Sequence, residues 1–239
     1  MIKSRKELFQ AMLRAVIFDF DGTVADTIPA IAEGVNMTMQ QYGLPIHTEA
    51  EVRTFINNGP RMLIRRALPL DLQNDEELLD RVLADYDRFY NTVCAHTDHP
   101  YDGIPEVIDI LRTQGFRIGV LSNKQDHLVK KLCEGVLPSR YDAALGSLPE
   151  KPTKPDPYLS RRIAAELGVK PEECIMIGDS DVDVATAKAA GMIHIGVSWG
   201  YRDEAFLRAH GAIRIAHTPK ELLTEIERIH ATKGIECHD

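Results

Sequence analysis

What most constrains the fold of this chain is an alternation of strand and helix patterns with one long interruption. Apolar runs of strand length occur at residues 15–20, 117–121, 174–177 and 193–197, with weaker ones at 143–145 and 212–215. Helical patterns lie between them at 105–114, 126–134, 156–167, 181–190 and 219–230. Strands alternating with helices predict an α/β fold, with a parallel sheet closed by right-handed crossovers and helices on both faces. Residues 28–97 break the alternation. Segments 28–42, 49–56, 61–68 and 75–96 read as consecutive helices, with Pro29, Pro45 and Pro69 at starts or breaks. The expected organisation is a sheet core from residues 1–27 and 98–239 and an all-helical unit, 28–97, inserted after the first strand. Residues 23–27 and 98–105 are the expected linkers.

The first strand runs into Asp19 and Asp21 and ends at Gly22. Side chains two apart on a strand share a face, so both carboxylates start on one side of its C-terminal end. Such a pair suits a divalent cation, or a nucleophile with an acid/base partner. Ligands of parallel sheets bind beyond the carboxyl ends of the strands. Three more polar motifs follow expected strands: Leu121-Ser122-Asn123-Lys124, Lys154-Pro155-Asp156-Pro157, and Gly178-Asp179-Ser180-Asp181-Val182-Asp183.

With Asp19-x-Asp21-Gly22-Thr23, these motifs resemble the haloacid dehalogenase superfamily, in an order and spacing similar to its phosphoglycolate-phosphatase-like branch. The resemblance runs from about Arg14 to about Leu223. It implies a Rossmann-like parallel sheet with a helical cap, and a Mg²⁺-dependent phosphatase acting on a small phosphorylated metabolite, phosphoglycolate first among the candidates. It also implies roles. Asp19 is the nucleophile that becomes an aspartyl-phosphate. Asp21 is general acid, then base, and its presence sets the chain apart from the dehalogenases themselves, which have no leaving alkoxide to protonate. Gly22 lets the backbone approach the phosphoryl group, and Ser122 with the Asn123 backbone N–H binds a phosphate oxygen. Lys154 neutralises nucleophile and phosphate together; it is preferred to Lys151 because it stands fourteen residues before Gly168 and is followed by Pro-Asp-Pro. Mg²⁺ is held by the Asp19 carboxylate, the Asp21 backbone carbonyl and Asp179. Asp183 supports, orienting a metal-bound water or pairing with Lys154, while Asp181 is solvated. A cap excludes water and selects the leaving group. Within Asn57-Asn58-Gly59-Pro60-Arg61, Arg61 is the residue expected to grip a substrate carboxylate or second phosphate. A mutase of the β-phosphoglucomutase type shares every core motif and stays open as an alternative.

Other readings fail on spacing or composition. Asp179-x-Asp181-x-Asp183 opens like a calcium loop, but Val184 and Ala190 stand where that loop needs Gly and Glu. Gly196-Val197-Ser198-Trp199-Gly200 matches a serine nucleophile elbow, with Asp203 and His217 following in order. Those partners are too close in sequence to admit the sheet that normally separates them. His96, Asp98 and His99 read as a polar linker. A phospho-receiver module would be about half this length and have no helical insert. A net charge of −8 over 239 residues argues against nucleic acid as a partner. No apolar run approaches a membrane span, and Arg14 interrupts the only N-terminal candidate for a signal sequence. Residues 1–11 read as a frayed extension ahead of Met12. Four scattered cysteines fit a reducing cytosol. The apolar surface of the cap helices serves their own packing as well as it would a dimer, so no oligomeric state follows.

Overall fold

The computed structural model describes residues 12–56, 59–97 and 99–235. The extension 1–11, Asn57, Asn58 and Asp98 lie outside the described residues, as does the His96 side chain. The first strand, β1 (Ala15–Phe18), is buried on both faces, as a central strand of a parallel sheet must be. β2 (Ala25–Asp26) follows, then four helices: α1 (Ile28–Gln41), α2 (Glu49–Phe55), α3 (Gly59–Ala67) and α4 (Glu76–Thr97). β3 (His99–Pro100) returns the chain to α5 (Ile104–Thr113), β4 (Arg117–Gln125), α6 (Asp126–Val136), β5 (Ala143–Ser147) and α7 (Pro157–Glu166). A 3₁₀ turn (Pro171–Glu173) leads to β6 (Cys174–Gly178), α8 (Asp181–Ala190), β7 (Ile193–Val197), α9 (Glu204–Ala209), β8 (Ile215–Ala216) and α10 (Pro219–Ile235).

Six strands form one sheet in the order β5-β4-β1-β6-β7-β8, every neighbouring pair parallel. The chain builds outward from β1 in one direction through β4 and β5, then in the other through β6, β7 and β8. The order therefore reverses at β1, and the crevice beyond its carboxyl end is where such a sheet holds a ligand. Alternation along β1 divides the core. Val16 and Phe18 pack with Ile108 of α5, Leu132 of α6 and Ile226 of α10, whereas Ala15 and Ile17 pack with Ile163 of α7 and Ala187 of α8. Helices thus cover both faces.

α1 to α4 pack on one another around Val35, Met39, Ile64, Leu79 and Val82. α2 starts at a reciprocal capping box between Thr48 and Glu51. The outgoing and returning segments pair as an antiparallel ribbon, β2 with β3, so one two-stranded hinge joins the helices to the sheet. That ribbon and α9 were not anticipated; both are shorter than the window over which periodicity is legible. The strand expected over 212–215 is displaced to Ile215–Ala216, because the Ala212 N–H bonds back to Leu207 and finishes the turn of α9. β4 runs on to Gln125 through an irregularity after Leu121. Among the described residues, no helix is long and apolar enough to cross a membrane.

Ile17 is fully buried under α7. Ile17→Ala is expected to cost about 2–5 kcal/mol of stability, read as a lower urea midpoint at unchanged slope.

Candidate active site

The site starts where β1 stops. The Asp19 N–H donates to the Ile177 carbonyl at 2.8 Å, so the residue after the strand is still tied to β6. The chain then turns tightly: the N–H groups of Val24 and Ala25 both donate to the Phe20 carbonyl at 3.0 Å. Gly22 has φ +78°, and a Cβ there would run into the Asp179 carboxylate and the Tyr201 ring. Beyond the phosphoryl approach expected of it, this glycine makes room for the close approach of the Asp179 carboxylate and Tyr201.

Lys154 is the hub. Its ammonium lies 2.8 Å from Asp19 Oδ1 and 2.7 Å from Asp183 Oδ1, and also donates to the Leu121 carbonyl at 3.2 Å. Burial alone would strip its proton, but the two carboxylates reverse that and push its pKa above the ordinary lysine value. Asn123 explains how Lys154 is placed. Its side-chain amide donates to the Lys154 carbonyl at 3.0 Å and accepts from the Lys154 N–H at 2.8 Å. The expectation of a phosphate contact from Asn123 concerned its backbone; the side chain instead clamps the lysine's main chain. Lys151 sits 5.9 Å from the Tyr158 ring, outside this group.

Asp183 belongs to a capping box at the start of α8. Ser180 Oγ donates to its Oδ2 at 2.6 Å, and the Ser180 backbone N–H adds a second bond at 3.2 Å. Both oxygens of Asp183 are therefore engaged, one by Lys154 and one by Ser180. Asp179 Oδ2 accepts from the Tyr201 N–H at 2.6 Å.

Asp21 is held differently. Its Oδ2 accepts from Ser122 Oγ at 3.1 Å, and its Oδ1 accepts from Thr27 Oγ1 at 2.7 Å and pairs with Lys124 at 2.7 Å. Burial would raise its pKa, but the Lys124 charge and these hydrogen bonds hold it below the ordinary carboxylate value. Lys124 is the site residue that sequence reasoning missed. It stood in the Leu121-Ser122-Asn123-Lys124 motif with no role attached, and nothing in that motif shows that it turns towards Asp21. Lys124 also bonds the Tyr90 hydroxyl of α4, so it bridges the sheet core and the helical insert. On the same side Gln125 donates to Asp87 of α4 at 3.1 Å.

Asp19, Asp21, Ser122, Asn123, Lys124, Lys154, Asp179 and Tyr201 line one cavity of about 130 Å³, roofed by Ile56, Pro60 and Leu63 of the insert. Arg61 is not among its lining residues. Its guanidinium is taken by Glu76 at 2.6 Å and by Asp80, both on α4. In this arrangement Arg61 does not reach into the cavity: neighbouring helices place two acids within its reach and lock α3 to α4. Ser198 Oγ bonds His217 Nδ1 at 2.8 Å, but both lie outside the cavity, and Asp203 caps α9 instead of joining them.

Among the described residues, Asp19, Asp179 and Asp183 bring one oxygen each within 4.8 Å of the others; Asp181 stays outside. Three buried carboxylates against one ammonium leave uncompensated negative charge in a largely desolvated site. Asp19 responds with a pKa raised well above the usual range, by burial first and then by the charge of Asp183, with Lys154 opposing. Asp179 rises to about 7, again by burial first and then Asp183. All-oxygen donors in this state fit a hard divalent cation such as Mg²⁺.

The family model for haloacid dehalogenase-like hydrolases matches residues 13–191, three-quarters of the chain. The chain is a haloacid dehalogenase-like hydrolase. Curated relatives of this hydrolase include a phosphoglycolate phosphatase of Neisseria meningitidis, 31% identical over 207 residues, covering 84% of this chain and 87% of the relative. One from Vibrio parahaemolyticus is 30% identical over 221 residues, covering 90% and 96%. A crystal structure from Lactobacillus delbrueckii subsp. bulgaricus, assigned to phosphoglycolate phosphatase, superposes with a TM-score of 0.85 at 30% identity, over 90% of this chain and 99% of its own. Within its family the hydrolase is a phosphoric monoester hydrolase.

Cation binding has a pH signature in this hydrolase. The folded, cation-free state holds protons on Asp19 and Asp179 that an unfolded chain releases above about pH 4. The Asp179 contribution to stability therefore falls as pH rises from about 4 to about 7, then levels, and Asp19 acts in the same direction. A cation must displace those protons. Mg²⁺ is expected to raise the melting temperature more at about pH 8 than at about pH 5. A shift that is equal at both, or absent at the higher pH, would contradict a cation held by these carboxylates.

Proposed function

We propose that this hydrolase is a Mg²⁺-dependent phosphatase that cleaves a small phosphate monoester, phosphoglycolate first among the candidates, through an aspartyl-phosphate on Asp19. The observation that carries the reading is the meeting of Asp19, Asp21, Lys154 and Asp179 in one cavity of about 130 Å³. That volume is far below the ~300–1,000 Å³ typical of pockets for drug-sized ligands, so the substrate is small. The relatives named for phosphoglycolate support the choice of candidate.

The reaction balances with the residues present. An Asp19 carboxylate oxygen attacks phosphorus, and the bond from phosphorus to the ester oxygen breaks. The leaving oxygen takes a proton from Asp21 and departs as an alcohol. Asp21, now a carboxylate, takes a proton from water as that water attacks the aspartyl-phosphate. Phosphate leaves, and Asp19 is restored. Lys124 keeps Asp21 ionised in the substrate-free protein, so Asp21 must gain a proton before it can give one. An arriving phosphate dianion favours that gain, because a like charge nearby raises a carboxylate's pKa. Lys154, with Asp183 behind it, holds a fixed positive charge against the nucleophile and the incoming oxygens. A bound Mg²⁺ would neutralise the repulsion that otherwise keeps carboxylate and phosphate apart. Asp19, Asp179 and the Asp21 backbone carbonyl are the groups we assign to hold it. Cys94, Cys133 and Cys174 are buried thiols, which suits the reducing cytosol.

Specificity for a second anionic group falls to Lys124 in this reading. Lys124 and Lys154 are the cations that line the cavity; Lys154 lies between Asp19 and Asp183, whereas Lys124, paired with Asp21, stands at the seam with the insert.

Two measurements test this function. Asp19→Asn should abolish turnover of p-nitrophenyl phosphate and phosphoglycolate, together with the acid-stable, hydroxylamine-sensitive labelling of the protein by radioactive substrate phosphate; near-normal turnover would rule out Asp19 as nucleophile. Lys124→Met should lower kcat/KM for phosphoglycolate by about 10²-fold or more relative to ethyl phosphate, the size of a lost charge-assisted contact. Equal losses on the two esters would show that Lys124 serves Asp21 alone.

A further inference from the structure

The segment Gly196-Val197-Ser198-Trp199-Gly200 has the spacing of a serine elbow but does none of its chemistry. Its last residues, with Tyr201, are nonetheless wedged into the active site. A Cβ on Gly200 would run into the Gly22 carbonyl and the Asp179 carboxylate, so this loop lies against both the β1 and the β6 loops with no room for a side chain. Trp199 Nε1 donates to the Thr23 carbonyl at 3.2 Å. The Tyr201 N–H holds Asp179 Oδ2 at 2.6 Å. The Tyr201 hydroxyl, fully enclosed, bonds Thr27 Oγ1. Thr27 spends its one proton on Asp21 Oδ1 at 2.7 Å, so the tyrosine is the donor to Thr27. Arg53, on α2 of the insert, donates to the Gly200 carbonyl at 3.0 Å and lies 5.7 Å over the Tyr201 ring.

These contacts form an unbroken path from the insert to the reacting groups. Arg53 grips Gly200 and Tyr201; Tyr201 sets Asp179 through its backbone and Asp21 through Thr27. The insert reaches the same oxygen from its other side as well, where Tyr90 of α4 bonds Lys124 and Lys124 pairs with Asp21 Oδ1. The cap thus touches Asp21 Oδ1 through two separate arms.

We propose that the Trp199-Gly200-Tyr201 loop couples cap docking to catalysis, with Arg53 and Tyr201 as positioning residues that place Asp21 and Asp179 only when the cap is seated. The proposal rests on the phosphatase reading, in which Asp21 protonates the leaving oxygen. A near-attack arrangement is sensitive to small displacements, so a relay of this kind acts on phosphoryl transfer to Asp19 and not on substrate affinity.

Steady-state kinetics on two substrates test it. p-Nitrophenolate leaves readily without a proton, whereas the alkoxide of an alkyl phosphate such as ethyl phosphate does not. Tyr201→Phe and Thr27→Val should each lower kcat/KM, which reports the steps up to phosphoryl transfer to Asp19, by about 10- to 100-fold on ethyl phosphate, with a much smaller loss in kcat/KM on p-nitrophenyl phosphate. Thr27→Ser, which keeps the hydroxyl, should restore most of the activity. Arg53→Ala should lower kcat/KM on ethyl phosphate in the same way. The Arg53→Ala/Tyr201→Phe double variant should lose less than the product of the two single losses. Arg53 is only half-buried and lies outside the core, so its variant remains informative even if Tyr201→Phe fails to fold. Losses equal on both substrates, multiplicative losses in the double variant, or no rescue by serine would each overturn the relay. A wild-type chain inert towards every phosphate monoester would sink the phosphatase reading and the relay with it. An active wild type with unaffected variants would sink the relay alone.

Discussion

Three buried carboxylates gathered around one buried ammonium set the terms for the rest of this molecule. Lys154 is charged only because Asp19 and Asp183 stand within 2.8 Å of it. Removing Lys154 would leave buried carboxylates without a counter-charge, which is among the costlier changes a protein interior can suffer. Such a cluster does not stabilise a fold; the packed sheet has to carry it. That is a physical reason for finding it beyond the end of β1, the strand with paired neighbours on both sides and apolar layers above and below. The cluster also needs rigid approaches. Asp183 is fixed by the first turn of α8, Lys154 by the Asn123 amide, and Asp19 by a backbone bond to β6.

The carboxylates at 19 and 21 were legible in the sequence because strand periodicity and the parallel-sheet rule act locally: an apolar run, then polar residues, then a turn. Ser122 and Asp179 also follow expected strands, but their roles came from the resemblance to the family. The choice of Lys154 over Lys151 rested on spacing, and the geometry places Lys154 and not Lys151 beside Asp19. What escaped were contacts made between elements distant in sequence. Arg61 looked available because its partners, Glu76 and Asp80, sit on the next helix, and no sequence pattern shows how α3 lies against α4. Lys124 was passed over for the opposite reason. It lies within the irregular stretch of β4 between Leu121 and Gln125, where strand alternation no longer tells which way a side chain points. Gly22 was read correctly as a residue needing no side chain, but its crowding neighbour comes from a loop more than 150 residues away.

Reaction and selectivity are written in different parts of this chain. The groups assigned to bond-breaking come from the ends of β1, β4 and β6 and from the loop before α7. The roof of the cavity comes from the insert and is apolar at Ile56, Pro60 and Leu63. An apolar roof over a charged floor excludes water and strengthens the electrostatics beneath it, but it discriminates weakly between small polar esters. Discrimination must therefore come from the few polar groups at the seam, and Lys124, Gln125, Asp87 and Tyr90 all meet there. A likeness of fold alone does not reach this level. A Thermotoga maritima structure assigned to β-phosphoglucomutase superposes with a TM-score of 0.70 at 23% identity, which shows shared architecture and nothing about the seam.

The serine-elbow spacing at 196–200 carries a lesson about motifs. Glycines at both ends of a short segment after a strand are what a nucleophile elbow requires, but they are also what any loop requires that must thread between two other loops. Here the second demand operates. Gly200 is small because Gly22 and Asp179 leave no space, and Ser198 faces His217 outside the cavity. The discriminating evidence is where the neighbours of the glycine come from. In an elbow they would be the nucleophile's own helix and the oxyanion donors. In this chain they are the backbone and carboxylate of a different catalytic group, so the glycine serves the aspartate site and the serine is incidental to it.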